Sequence, residues 1–258
     1  NFYTKKPSFS SQDDLVFSGN STLRYATANK EKTGHFHFNI GAKKWAFLTS
    51  VTYSDFDDLR MGSHGPNDYL RTQYVVTLNG IDRVIQNVNP KIQHPTAYSQ
   101  LNTMQKVLYM PNNNWNFDLG LFYSTTSNYP RYDRLIITKN DTFTSAVWDY
   151  GPQQWFSGNL HIQNTPQTNI LFDKSAFTLS FQHFIESRSD RGFGDSFLYK
   201  TQENVAAFTT ALDFEKKINK SKLNYGVEYI YNKVGSQGQQ TNIATGISQP
   251  DTSRYPDG

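Results

Sequence analysis

Trp45-Ala46-Phe47-Leu48-Thr49-Ser50-Val51-Thr52-Tyr53 is the stretch whose reading decides the fold. Trp45, Phe47, Thr49, Val51 and Tyr53 alternate with Ala46, Leu48, Ser50 and Thr52. Successive side chains of a strand point to opposite faces, so this spacing predicts a β-strand with one aromatic side. Residues 115–123 repeat it: Trp115, Phe117, Leu119, Leu121 and Tyr123 oppose Asn116, Asp118, Gly120 and Phe122. Residues 177–185 and 223–231 alternate in the same way, and weaker patterns cover 15–27, 35–40, 101–110, 155–163 and 205–218. Together they predict roughly nine antiparallel strands.

The connections alternate in length. Residues 41–44, 111–114, 164–167 and 219–222 read as short turns; 54–98, 125–150, 187–201 and everything after Val234 read as long polar excursions. Trp45 and Trp115 each follow a short turn, and a same-face tyrosine, Tyr53 or Tyr123, comes eight residues later. At about 3.3 Å per residue, eight steps span about 26 Å, or about 20 Å along the normal of a membrane crossed at a tilt of about 40°. Outer-membrane barrels carry an apolar band about 25 Å tall, edged by aromatic girdles. A soluble sandwich also buries one face of each strand. Its loops, however, have no reason to be long at one end only. Nor could Asn116, Asp118, Gly120, Gln182, Asn224 and Glu228 line a dry core without partners. The expected class is therefore all-β: part of an antiparallel transmembrane β-barrel, with short periplasmic turns and long extracellular loops.

The 258 residues begin without Met and end on Pro256-Asp257-Gly258, so the chain reads as a piece of a larger polypeptide whose export signal lies elsewhere. Aromatic residues make up 15%, too many for disorder. No apolar run approaches the roughly 20 residues of a helical span, and a barrel needs none. The absence of cysteine excludes disulfides, zinc–thiolate sites and thiol nucleophiles within the segment. A net charge of +3, scattered along the chain, does not suit nucleic acid. No Gly-rich phosphate cradle, Gly-x-Ser-x-Gly elbow or His-Glu-x-x-His is present, so neither an enzyme nor a cofactor is expected. His35 and His37 share one face of a strand; such a pair can ligate a metal, but the plainer expectation is two solvated lumen residues and no metal. Asp55, Asp57 and Asp58 beside Arg60 lack calcium-loop spacing and read as a solvated ion pair at a loop base.

The excursions carry aromatic residues and arginines, the residue types that supply most binding energy at protein surfaces. They include Trp148, Tyr150 and Arg188; the ligand-binding candidates are Arg60, Tyr129, Arg131, Tyr132, Arg134, Arg191 and Phe193.

Four stretches, each at the outer end of a strand or the start of a long loop, carry a family resemblance. They are Tyr53-Ser54-Asp55-Phe56-Asp57-Asp58-Leu59-Arg60-Met61-Gly62; Tyr98-Ser99-Gln100; Ser124-Thr125-Thr126-Ser127-Asn128-Tyr129-Pro130-Arg131-Tyr132-Asp133-Arg134-Leu135; and Glu186-Ser187-Arg188-Ser189-Asp190-Arg191-Gly192-Phe193-Gly194. In this order they resemble the barrel of TonB-dependent outer-membrane receptors. The resemblance implies a barrel of about 22 strands around an N-terminal plug, to which residues 1–258 contribute roughly the first nine strands. It further implies the outer membrane of a Gram-negative bacterium as the location and outer-membrane lipid as the surroundings. The cargo would be a small chelate such as an iron–siderophore complex, with haem less favoured, and a TonB-type energy-transducing complex would act on the plug. A passive porin or an adhesion barrel is the alternative.

Overall fold

The structure, a computed structural model, describes residues 4–12 and 14–254; Pro256-Asp257-Gly258 lies outside them. Its strands are β1 (Val16–Ala26), β2 (Glu31–Gly41), β3 (Trp45–Phe56), β4 (Leu59–Arg60), β5 (Gln73–Leu78), β6 (Ile81–Gln86), β7 (Ile92–Gln93), β8 (Tyr98–Asn112) and β9 (Trp115–Thr126). There follow β10 (Tyr129–Pro130), the short helix α1 (Tyr132–Leu135), β11 (Thr138–Lys139), β12 (Thr142–Phe143), β13 (Ser145–Tyr150), β14 (Gln154–Asn164), β15 (Lys174–Gly192), β16 (Phe197–Ile218), β17 (Ser221–Asn242) and β18 (Ser248–Asp251). One antiparallel sheet runs β1-β2-β3-β8-β9-β14-β15-β16-β17-β18, with β13 and β10 attached beside β15. Its first nine strands coincide with the nine sequence patterns. Where β14 stops pairing, at Gln154 opposite Ile185, β13 takes over the same edge of β15 at Tyr150 opposite Arg188.

Register carries the aromatic side from strand to strand. Phe36 lies opposite Val51, Trp45 opposite Tyr109, Tyr109 opposite Phe117, Tyr123 opposite Phe156, and Phe181 opposite Phe208, which lies opposite Tyr231. At the short-turn end the rings join into a band: Trp45 stacks on Tyr109 at 4.0 Å, Tyr109 meets Phe117 at 5.7 Å, and Trp115 stacks on Phe117 at 5.9 Å. Among the described residues no second layer covers this side; Trp45 is 43% exposed, Trp115 41% and Val227 67%. Among the described residues the buried apolar side chains are Ala46, Leu48 and Leu108 on the sheet's other face, and Leu135 and Phe143 in the loops. A soluble chain this rich in aromatic residues would bury them; here they face outward, as in a barrel solvated by lipid.

The opposite face carries Asn39, Ser50, Thr52, Asn102 and Ser124, and a strap of residues 4–10 lies along it. The Ser8 amide donates to Asn39 Oδ1 at 2.8 Å, Asn39 Nδ2 donates back to the Ser8 carbonyl at 3.0 Å, and the Ser10 amide donates to the Ala42 carbonyl. Gly41 admits the strap, since a Cβ there would collide with the Ser8 carbonyl and Phe9.

Three connections differ from expectation. The turn placed at 164–167 extends over 165–173, where Asn169 Oδ1 accepts from the amides of Leu171 and Phe172. The excursion placed at 187–201 is instead a continuation of β15 and β16, joined across residues 193–196. Likewise β17 continues past Val234 to Asn242. A ribbon wet on both faces needs no apolar alternation, so these extensions left no period-two signal. At the same end, β1 and β2 are joined by the tight turn 27–30.

Candidate ligand-binding mouth

The two long connections build the mouth. Residues 57–97 hold the β5–β6 hairpin, whose Asn79-Gly80 loop has φ of +51° and +76°. Both residues are left-handed, as a two-residue hairpin turn of matching twist requires. Residues 127–153 hold β10, α1, the β11–β12 pair and β13.

Trp148 is the centre of this mouth. Tyr150 pairs with Arg188 and Trp148 with Asp190 across β13 and β15, so the four side chains share one face. The guanidinium carbons of Arg131, Arg134 and Arg188 lie 5.1, 5.9 and 5.8 Å from the Trp148 ring centroid. Arg131 also lies 5.6 Å from the Tyr150 centroid. The Arg131 amide donates to the Trp148 carbonyl at 2.8 Å, which fixes where α1 begins. Arg131 donates through Nε and Nη2 to both carboxylate oxygens of Asp133, each at 2.7 Å, and this holds the Asp133 carboxyl below the usual range. An aromatic path leads from here to the sheet rim: Trp148 to Tyr150 at 5.4 Å, Tyr150 to Tyr129 at 5.9 Å, Tyr129 to Tyr98 at 6.1 Å and Tyr98 to Phe56 at 4.7 Å. Burial first, then Glu186 and Tyr150, push the Tyr129 phenol upward. Side by side, π-faces and guanidinium groups can stack and pair with planar anionic groups.

Two further arginines are built into the loops. Arg191 is 2% exposed and gives Nη1 and Nη2 to the two oxygens of Asp82, at 2.7 and 2.6 Å. It also donates to the Asp195 carbonyl and to Thr77 Oγ1, and the Gly194 amide donates to Asp82. Arg71, likewise buried, donates to the carbonyls of His94 and Leu135 between the rings of Tyr132 and Phe143. Arg71 thereby joins the two long connections, and Arg191 joins the β5–β6 hairpin to the β15–β16 tip.

Of the sequence candidates, the structure brings Tyr129, Arg131 and Arg134 together around the Trp148 group. Arg191 is placed differently from the others: its guanidinium is enclosed by Asp82, Thr77 and Asp195 and is buried, where it holds two loops together rather than facing the mouth. Tyr132 is half-buried beneath Arg71, where burial pushes its phenol upward. Phe193 is half-buried at the β15–β16 tip. Arg60 is exposed at the base of the first long connection. The ion pair expected there forms elsewhere: Asp57 accepts from Lys30 at 2.8 Å, while Asp58 accepts from His94 Nδ1 and from the amides of Thr96 and Ala97. The sequence reading placed Trp148 and Arg188 among the loop aromatic residues and arginines but not among the ligand-binding candidates. The alternations Trp148-x-Tyr150 and Arg188-x-Asp190 would have marked them, had β13 been paired with β15.

No protein-family model and no curated relative matches the chain. Among solved structures it is similar to the copper transporter OprC, with a TM-score of 0.64 at 11% identity, over 95% of this chain and 32% of that one. The likeness shows the fold alone, the antiparallel wall of a β-barrel, and the chain spans about a third of that neighbour's length.

Proposed function

We propose that this chain is part of an outer-membrane transporter that takes up a scarce, anionic metal chelate by energy-coupled import. The observation that carries this is the gathering of Arg131, Arg134 and Arg188 around Trp148 at the mouth. Asp133 and Asp190 offset part of that charge and leave the group an excess of one positive charge. Such a surface suits a multiply charged chelate whose catecholate or carboxylate arms present flat, anionic groups. A TonB-type complex acting on a plug supplies the energy, as the family resemblance implies. The fold neighbour is named for copper transport, and a metal-bearing cargo fits the same reading. A passive porin has no need of a cationic aromatic mouth; an adhesion barrel remains the rival.

The test is uptake of a ferric tris-catecholate by cells carrying the full gene, with and without the energising partner. Import is expected only with the partner, and uptake that survives its deletion contradicts the proposal. In binding assays Trp148→Ala is expected to weaken chelate binding about 30-fold, corresponding to about 2 kcal/mol for an aromatic anchor. Unchanged affinity would move the site off Trp148.

A further inference from the structure

We propose that His35 and His37 form a two-nitrogen site for one divalent transition-metal ion on the polar wall of the sheet, with Lys5 of the strap as its displaceable cover. It is independent of how the mouth binds cargo. The two histidines are two residues apart on β2, and His35 Nε2 lies 3.1 Å from His37 Nδ1. With metal–nitrogen bonds of about 2.0–2.1 Å, that separation corresponds to a ligand–metal–ligand angle of about 100°, between square-planar and tetrahedral values. His35 Nδ1 is 2.7 Å from Thr52 Oγ1, the kind of partner that fixes a ligating imidazole's orientation and leaves its Nε2 for the metal. Thr22 and Thr52 flank His35, and Asn20 and Ser50 flank His37, so neutral oxygen donors surround the pair. Two imidazoles with oxygen or water favour copper, then nickel and zinc.

Lys5 Nζ lies 2.6 Å from His37 Nε2. An ammonium only donates, so Nε2 accepts and the His37 proton sits on Nδ1. That N–H donates to His35 Nε2, whose ring then donates from Nδ1 to Thr52. The chain Lys5–His37–His35–Thr52 is thus satisfied in one direction only. A metal on His37 Nδ1 moves the proton to Nε2, and a protonated Nε2 cannot accept from Lys5. Metal and Lys5 contact exclude one another, and metal binding frees the end of the strap.

The test uses the detergent-purified full-length protein with Cu2+ as probe, comparing native protein with His35→Gln, His37→Gln and Lys5→Ala. The native protein is expected to show a Cu2+ signal with splitting from two imidazole nitrogens. Each glutamine variant should lose one nitrogen and bind at least tenfold more weakly, whereas Lys5→Ala should bind severalfold more tightly. In native protein, Cu2+ should also speed tryptic cleavage after Lys5, a readout that needs no variant. Glutamine variants that bind as the native protein does overturn the site. Unchanged affinity in Lys5→Ala, or cleavage indifferent to Cu2+, overturns the cover.

Discussion

Arg191→Ala releases the β5–β6 hairpin from the β15–β16 tip and loosens the mouth by about 3–5 kcal/mol, the cost of removing one partner from a buried ion pair. Asp82, whose side chain is 2% exposed with Arg191 in place, would then have no guanidinium beside it. The pair's net worth is smaller, because two charges have been taken out of water. Arg191→Met combined with Asp82→Leu should therefore recover most of the loss. Hydrogen exchange reads this locally: protection at the amides of Thr77 and Gly194 should fall by about two orders of magnitude or more in Arg191→Ala. Exchange that stays at the native rate would show that the hairpin is held by other contacts. Acid should mimic the substitution. Burial opposes ionisation of Asp82, but the hydrogen bonds from Arg191, the Gly194 amide and Thr77, with the Arg191 charge, outweigh it and hold its carboxyl below the usual range. A carboxyl with a depressed folded pKa contributes its stability above its unfolded value. That contribution is lost as pH falls through the lower folded value, so the mouth loosens at the acid end only.

Val227→Arg is the second large effect. Val227 is six residues above Ser221, about 15 Å along the membrane normal after a tilt of about 40°, near the middle of the apolar band. It lies opposite Leu212, between Tyr225 and Tyr229 on the aromatic side. An arginine facing hydrocarbon at that depth costs about 2–4 kcal/mol. Glu228→Arg, one residue on and facing the other way, should change stability by less than about 1 kcal/mol, since that face is wet. Denaturant unfolding of the full-length barrel in lipid vesicles measures both. Equal effects would mean that the two faces see the same solvent.

How much of this was legible in the sequence depended on where lipid imposes a pattern. In 45–53 and 115–123 every second residue faces the apolar band, so the strands, their faces and their short turns could be read. Outside the band that constraint lapses. Residues 187–191 carry polar side chains on both faces, serines on one and Arg188 and Asp190 on the other, and nothing in them distinguishes a ladder from a loop. The β5–β6 hairpin was readable in principle, since Asn79-Gly80 sits between two β-branched runs; taking 54–98 as one excursion concealed it. Arg191 and Arg131 look alike in sequence. Only the long-range partner, Asp82 at a separation of 109 residues, makes one structural and leaves the other at the surface. For the same reason Trp148 and Arg188 become a site only once β13 is laid against β15.

Lipid contact of Trp45 and Trp115 is the most direct measurement. In full-length protein reconstituted with brominated acyl chains, with every tryptophan except Trp45 and Trp115 replaced by Phe, the remaining fluorescence should be strongly quenched by bromine and little affected by iodide in the water. If the protein instead stays monodisperse without detergent, and both tryptophans are untouched by brominated lipid, then protein covers the aromatic side and the transport account is wrong.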